Sequence, residues 1–225
     1  MRYVDYKSHL YYNETMDWKE AIKRSLGKPY YEKDFVLLYN IDCIAALKIL
    51  PRNYIDLVLT SPPYNIGKEY EKVLPIEDYI DWSSSWLNEI PLILKENCAF
   101  WYNLGYVPFK DSARALPLVY LLWDKVKMYL MQEIVWNYGA GVACKKTLSP
   151  RNEKWHRSSE ERTNHPAQFP LDLIDRITLG FSNENDILLD NGKSFSNCCV
   201  ISNHFEESTF SYGLFIFTAS YFVNT

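Results

Sequence analysis

The chain has 225 residues, 48% hydrophobic and 16% aromatic, which suits one domain with a sizeable core and excludes a disordered chain. Its net charge of −4 excludes nucleic-acid binding through overall charge, so any DNA contact requires a local basic patch. No apolar run is long enough to cross a bilayer and no leader is recognisable, so a cytoplasmic protein without membrane contact is expected. The five cysteines (43, 98, 144, 198, 199) keep no metal-ligand spacing, and the four histidines (9, 156, 165, 204) form no HExxH pair. No metal site and no disulfide framework are expected.

Residues 1–34 are rich in tyrosine and charge and read as an N-terminal cap, with a short helix from Trp18 to Leu26 stopped by Gly27 and Pro29. Phe35–Tyr39 is a continuous apolar run, the pattern of a strand buried on both faces. Asp42 follows, just before an amphipathic helix that runs to Leu50. An acid there can cap the helix, or hold a ribose or an adenine in a doubly wound fold, and the two roles are compatible. A second buried strand, Tyr54–Leu59, ends at Ser61-Pro62-Pro63-Tyr64. Two prolines donate no backbone hydrogen bonds and hold φ, so the sheet must stop there in a stiff loop. The loop offers outward carbonyls, one hydroxyl and one aromatic ring, a set that suits the amino group of a flat, flipped base. Taken alone, Pro-Pro-Tyr is as readily a turn or a proline-rich ligand.

From Pro75 to Leu94 apolar residues recur at helical spacing, with Trp82 and Trp86 on the core side. A strand is expected over Asn97–Asn103, a helix over Pro108–Asp124 and a strand over Tyr129–Trp136. This alternation predicts an α/β fold: a Rossmann-like, mostly parallel sheet with helices on both faces. Lys145, Lys146, Arg151, Lys154, Arg157 and Arg162 form the dense basic stretch, either a phosphate-binding patch or a solvated loop. Phe169, Leu173, Ile174 and Ile177 share one face of a further helix, and a turn leads into a strand ending at Asp190. Beyond Lys193 there is no Lys or Arg; Ser and Phe dominate, and Leu214–Phe217 is an isolated sticky β run.

Several of these segments together resemble the amino-group DNA methyltransferases, which transfer methyl groups to cytosine N4 or adenine N6. Ser61-Pro62-Pro63-Tyr64 after a hydrophobic strand resembles that family's motif IV, and the string Leu59–Tyr70 resembles the cytosine-N4 subfamily. Gln132–Asn137 is similar to the motif VIII strand, with Tyr138-Gly139-Ala140-Gly141 bordering the base pocket. Leu148–Trp155 and Arg157–Pro170 also look like this subfamily, and His165-Pro166 to Ile177 looks like motif X. The Pro-Cys nucleophile of cytosine-C5 enzymes is absent. The pocket motif precedes the strand of motif I, an order that resembles the β group of the family.

The resemblance implies S-adenosylmethionine as cofactor, double-stranded DNA with a flipped cytosine as substrate, and a cognate restriction endonuclease as companion. It implies catalytic roles for Ser61, Pro62, Pro63 and Tyr64, cofactor contacts for Asp42, His165, Pro166, Phe169 and Asp190, and DNA contacts for Lys145, Lys146 and Arg151. The catalytic domain is expected over 35–190. Two departures are visible. The blocks that flank a target-recognition region in relatives abut here at Trp155–His156. After Asp190 relatives continue Pro-Phe-x-Gly-Ser-Gly, whereas this chain has Asn191-Gly192-Lys193-Ser194. Residues 191–225 are therefore expected to be either a tail read in a shifted frame, leaving the sheet incomplete, or a divergent terminus that still makes a strand. Three functions follow: a cytosine-N4 enzyme of a restriction–modification system, an adenine-N6 enzyme of the same fold, or an inactive relative that binds no cofactor.

Overall fold

A computed structural model of the chain describes residues 18–67, 72–109, 114–134, 171–190, 199–203 and 219–223. Helix α1 (18–26) ends as expected at Gly27, whose φ of +79° favours glycine and whose N–H donates to the Lys23 carbonyl. Strand β1 (Tyr31–Lys33) turns back antiparallel into β2 (Val36–Tyr39). Helix α2 (Cys43–Ile49) starts at Asp42, whose carboxylate accepts the Ala45 N–H at 2.9 Å. All six residues of β3 (Ile55–Thr60) are buried, as its unbroken apolar pattern predicts.

The segment 75–94 is not one helix. It divides into α3 (Ile76–Leu87) and a single turn, α4 (Ile90–Ile93), with Pro91 at the start of the second. Pro91 has no N–H to continue the first helix's ladder, so α3 closes at Asn88. Strand β4 (Leu94–Asn103) then begins three residues earlier than expected and carries a bulge. Leu94 pairs with Ile55 but Ala99 with Leu57, and Asn97 between them adopts φ 60°.

The helix expected over 108–124 is replaced by a two-stranded hairpin, β5 (Tyr106–Phe109) and β6 (Arg114–Pro117), followed by one turn, α5 (Leu118–Leu121). Proline explains the difference: Pro117 cannot sit inside a helix and disfavours helical backbone at Leu116, so the turn can only begin after it. The last described elements are β7 (Tyr129–Ile134), α6 (Leu171–Phe181), β8 (Ile187–Asp190), β9 (Cys199–Asn203) and β10 (Ala219–Val223).

The main sheet has the order β1-β2-β9-β8-β3-β4-β10-β7. Its centre, β8-β3-β4, is parallel, and the other neighbouring strands pair antiparallel. Following these pairings across the sheet, β2, β8, β3, β4 and β7 run in one direction, and β1, β9 and β10 run against them. The α/β class is as expected, but the sheet is mixed, because residues beyond 190 enter it as β9 and β10 between co-directional strands.

Helices cover both faces. Leu57, Leu59, Ala99, Trp101 and Leu188 pack under Leu173, Ile174 and Ile177 of α6. Their strand neighbours Val58, Phe100, Tyr102, Ile187 and Leu189 face the larger cluster, with Trp18 and Ile22 of α1, Ala46 and Leu47 of α2, and Tyr79, Trp86 and Leu87 of α3. This alternation is the period of two that a strand imposes. Trp86 is a core residue, edge-on to Tyr102, and Trp82 is half-buried beside it. Among the described residues no helix is long and apolar enough to cross a membrane.

Candidate active site

Co-directional strands bring their carboxyl ends to one edge of the sheet, where open α/β folds place ligands. Asp42 follows β2, Ser61 follows β3, Asn103 closes β4 and Asp190 closes β8. Thr60, the last residue of β3, is paired with Tyr102 and buried, so the loop that begins at Ser61 leaves from a fixed point.

That loop is held by side chains from three directions. The Asn103 amide donates to Ser61 Oγ at 3.0 Å and to the Tyr64 hydroxyl, and Ser61 Oγ and Tyr64 Oη lie 3.2 Å apart. Asn103 is 1% exposed, which makes these bonds costly to lose. From α3, the buried Tyr79 donates its hydroxyl to the Pro63 carbonyl at 2.6 Å. Further on, Asn65 adopts φ 62° and clasps the far end of the loop. Its amide donates to the Leu74 carbonyl at 2.9 Å and its carbonyl accepts the Leu74 N–H at 2.7 Å. Asn is among the few residues that tolerate that backbone while offering both a donor and an acceptor.

The Tyr64 ring rests on Gly105. A Cβ at that position would lie 2.7 Å from Tyr64 Cδ2, so the close approach requires glycine. Burial, with Tyr79 nearby, pushes the Tyr102 phenol well above the usual tyrosine range, so the group behind the loop stays neutral. The result is an anchored, uncharged stretch over residues 61–67 with a half-buried hydroxyl at its start. It can accept or donate hydrogen bonds but carries no nucleophile activated by a base.

The structure brings Ser61, Pro62, Pro63 and Tyr64 together with Asn103, Gly105, Tyr79 and Asn65, which the sequence reading did not assign to the site. A polar residue closing an apolar strand was the available signal for Asn103; its contact with Ser61 depends on the register of β3 against β4. Asp42 is exposed and caps α2, as one of its two expected roles requires. Asp190 is buried, level with Leu59 of β3. Lys145, Lys146, Arg151, His165, Pro166 and Phe169 lie outside the described residues, as do the Trp155–His156 junction, the loop at 138–141 and the run Leu214–Phe217. Among the described residues no three His, Cys, Asp or Glu side chains form a metal-binding group.

A sheet flanked by helices on both faces, with a Pro-Pro-Tyr loop at its carboxyl edge, defines the class as an α/β methyltransferase fold. The solved PvuII DNA methyltransferase, a cytosine-N4-specific enzyme, superposes with a TM-score of 0.59 at 20% identity, covering 72% of this chain and 76% of that one. Residues 55–154 match the profile of the N6/N4 DNA methylases. The chain is 41% identical to the type II methyltransferase M.ScaI of Streptomyces caespitosus, over 75% of this chain and 74% of that protein. It is 27% identical to the type II methyltransferase M.BglII of Bacillus subtilis, over 84% and 67%. The chain belongs to the N6/N4 DNA methylase family.

Proposed function

We propose that the chain is built to methylate the N4 amino group of cytosine in double-stranded DNA, as the modifying partner of a cognate restriction endonuclease. The observation that carries this reading is the neutral hydroxyl of Ser61, held by Asn103 and Tyr64 in front of the two prolines. The exocyclic amino group of cytosine is a poor nucleophile, because its lone pair is delocalised into the ring. Hydrogen bonds from that group to Ser61 Oγ and the Pro62 carbonyl favour a tetrahedral nitrogen. They also stabilise the positive charge that grows there as the methyl group is accepted. Tyr64 supplies a flat surface for the flipped base. S-adenosylmethionine would supply an already activated methyl group, so alignment and electrostatics are what the protein must provide. The phosphates of the duplex would meet Lys145, Lys146 and Arg151.

The cofactor's fit is divided. Asp190 and Asp42, at the ends of co-directional strands on one edge, suit the hydroxyls and amino group of an adenosine, and His165, Pro166 and Phe169 would help to enclose it. Asn191-Gly192-Lys193-Ser194 is not the glycine turn that admits a methionine moiety. That departure favours a second reading, an inactive relative that keeps the base pocket without its methyl donor. Alignment lengths point the same way: the match to M.ScaI runs over 224 positions but uses only 75% of these 225 residues. M.ScaI thus carries residues with no counterpart in the aligned part of this chain, in keeping with a missing recognition region.

The test is transfer of labelled methyl groups from S-adenosylmethionine to unmodified DNA, followed by nucleoside analysis, beside calorimetric titration with the cofactor. N4-methyldeoxycytidine is the expected product. N6-methyldeoxyadenosine would replace the cytosine reading by the adenine one, and absence of both product and cofactor binding would leave the inactive relative.

A further inference from the structure

We infer that Asn103 is a positioning residue for the Ser61 hydroxyl, fixing it as a hydrogen-bond acceptor toward the target amino group. The inference rests on the methyl-transfer reading above and adds to it a residue 42 positions away in the chain, brought in by the β3–β4 pairing.

A serine hydroxyl is a rotor that offers either a hydrogen or a lone pair to whatever stands before it. An amino group needs the lone pair, so the serine's own hydrogen must be directed elsewhere. Asn103 Nδ2 carries two hydrogens and has two oxygens within reach, Ser61 Oγ at 3.0 Å and Tyr64 Oη. One N–H to each oxygen fills one acceptor position on both and holds the two hydroxyls side by side. At 3.2 Å either hydroxyl can donate to the other, and in the inferred arrangement Ser61 is the donor, with Tyr64 Oη accepting its hydrogen. The second Ser61 lone pair is then left to accept a hydrogen from an amino group. Asn103 has the rigidity that such positioning requires. It closes β4, is almost wholly buried, and its neighbour in sequence, Tyr102, is locked between Trp86 and Phe100. A carboxylate before Pro-Pro-Tyr would present acceptor oxygens without such help; a serine needs a partner that removes its ambiguity.

Two measurements test this, and they fail separately. In chain labelled with nitrogen-15, the Asn103 side-chain amide is identified by its absence in Asn103→Ser. Ser61→Ala is expected to shift one proton of that amide pair, and Tyr64→Phe the other. This readout needs neither cofactor nor activity, and an amide pair unmoved by both variants overturns the inference. In the methyl-transfer assay, Asn103→Ala is expected to lower kcat by about 10²-fold with KM for the cofactor unchanged within about twofold. Combined with Tyr64→Phe, its effect is expected to be markedly less than additive, because both act through one hydroxyl. An effect confined to KM, or full additivity, overturns it. If wild-type chain transfers no methyl groups, the functional reading fails and the amide measurement still decides the position of Asn103.

Discussion

At the scale of single residues, the loop after β3 depends on small groups rather than large ones. Gly105 admits the Tyr64 ring, so Gly105→Ala should destabilise the chain by about 1–3 kcal/mol through forced displacement of that ring. Urea denaturation measures the cost, and in a Tyr64→Ala background it should vanish. Asn65 combines a positive φ with two hydrogen bonds to Leu74. Asn65→Ala keeps neither advantage and should cost about 1–3 kcal/mol by the same measurement. Cys43 illustrates a half-buried group with a pH signature: burial first, then the Asp42 charge, push its thiol up to about 11 from 9.0. The folded state therefore holds this proton more tightly than the unfolded chain. The associated stability is intact below pH 9 and is lost as pH rises toward 11, by up to about 2–3 kcal/mol. Stability curves of wild type and Cys43→Ser should run parallel below pH 9 and change their separation in that window.

At the scale of elements, a single carboxylate ties three strands together at the edge opposite the candidate site. Asp56 of β3 pairs with Lys95 in the bulge of β4, at 2.8 and 2.9 Å, and accepts the Ile187 N–H of β8 at 2.8 Å. Asp56 is buried while Lys95 is partly exposed, so the bond to the backbone matters more than the ion pair. Asp56→Ala should cost about 1–3 kcal/mol and should raise amide exchange at Ile187 before it affects the centre of β3. The bulge of β4 is thus not a defect: it brings Lys95 to Asp56 while keeping Asn103 in register with the loop. The aromatic stack of Trp86, Tyr102 and Phe100 anchors the same strand from the α3 side. Fully buried side chains of this size contribute about 1.5–3 kcal/mol each.

At the scale of the molecule, the two strands contributed by residues beyond 190 are inserted between co-directional strands of the main sheet. β9 stands between β8 and β2, and β10 between β4 and β7, each antiparallel to both neighbours. If these strands are integral, a chain ending at Gly192 should lose its cooperative thermal transition and bind an apolar dye. If the segment is foreign to the fold, the shortened chain should unfold at the same temperature as the full one. Differential scanning calorimetry of both chains reads the difference, and the cofactor titration shows whether the segment also affects the site.

The amino-acid sequence by itself determined the elements whose signal is local. The apolar run before Ser61 reads as a buried strand, the double proline ends it, Gly27 stops a helix and Asp42 is placed to cap one, because each follows from backbone sterics or a side-chain hydrogen bond within a few residues. Apolar spacing predicts a helix over 108–124, but Pro117 in its interior forbids one there, and the segment forms a hairpin and a single turn instead. What only the tertiary structure decided are relations between residues far apart in the chain: Asn103 against Ser61 and Tyr64, Gly105 beneath a ring, Tyr79 on the Pro63 carbonyl, and Asp56 on β8. Those contacts depend on strand register and order, which arise from the packing of the whole sheet. A linear pattern with a period of two records which face a residue occupies, but not which neighbour it meets there.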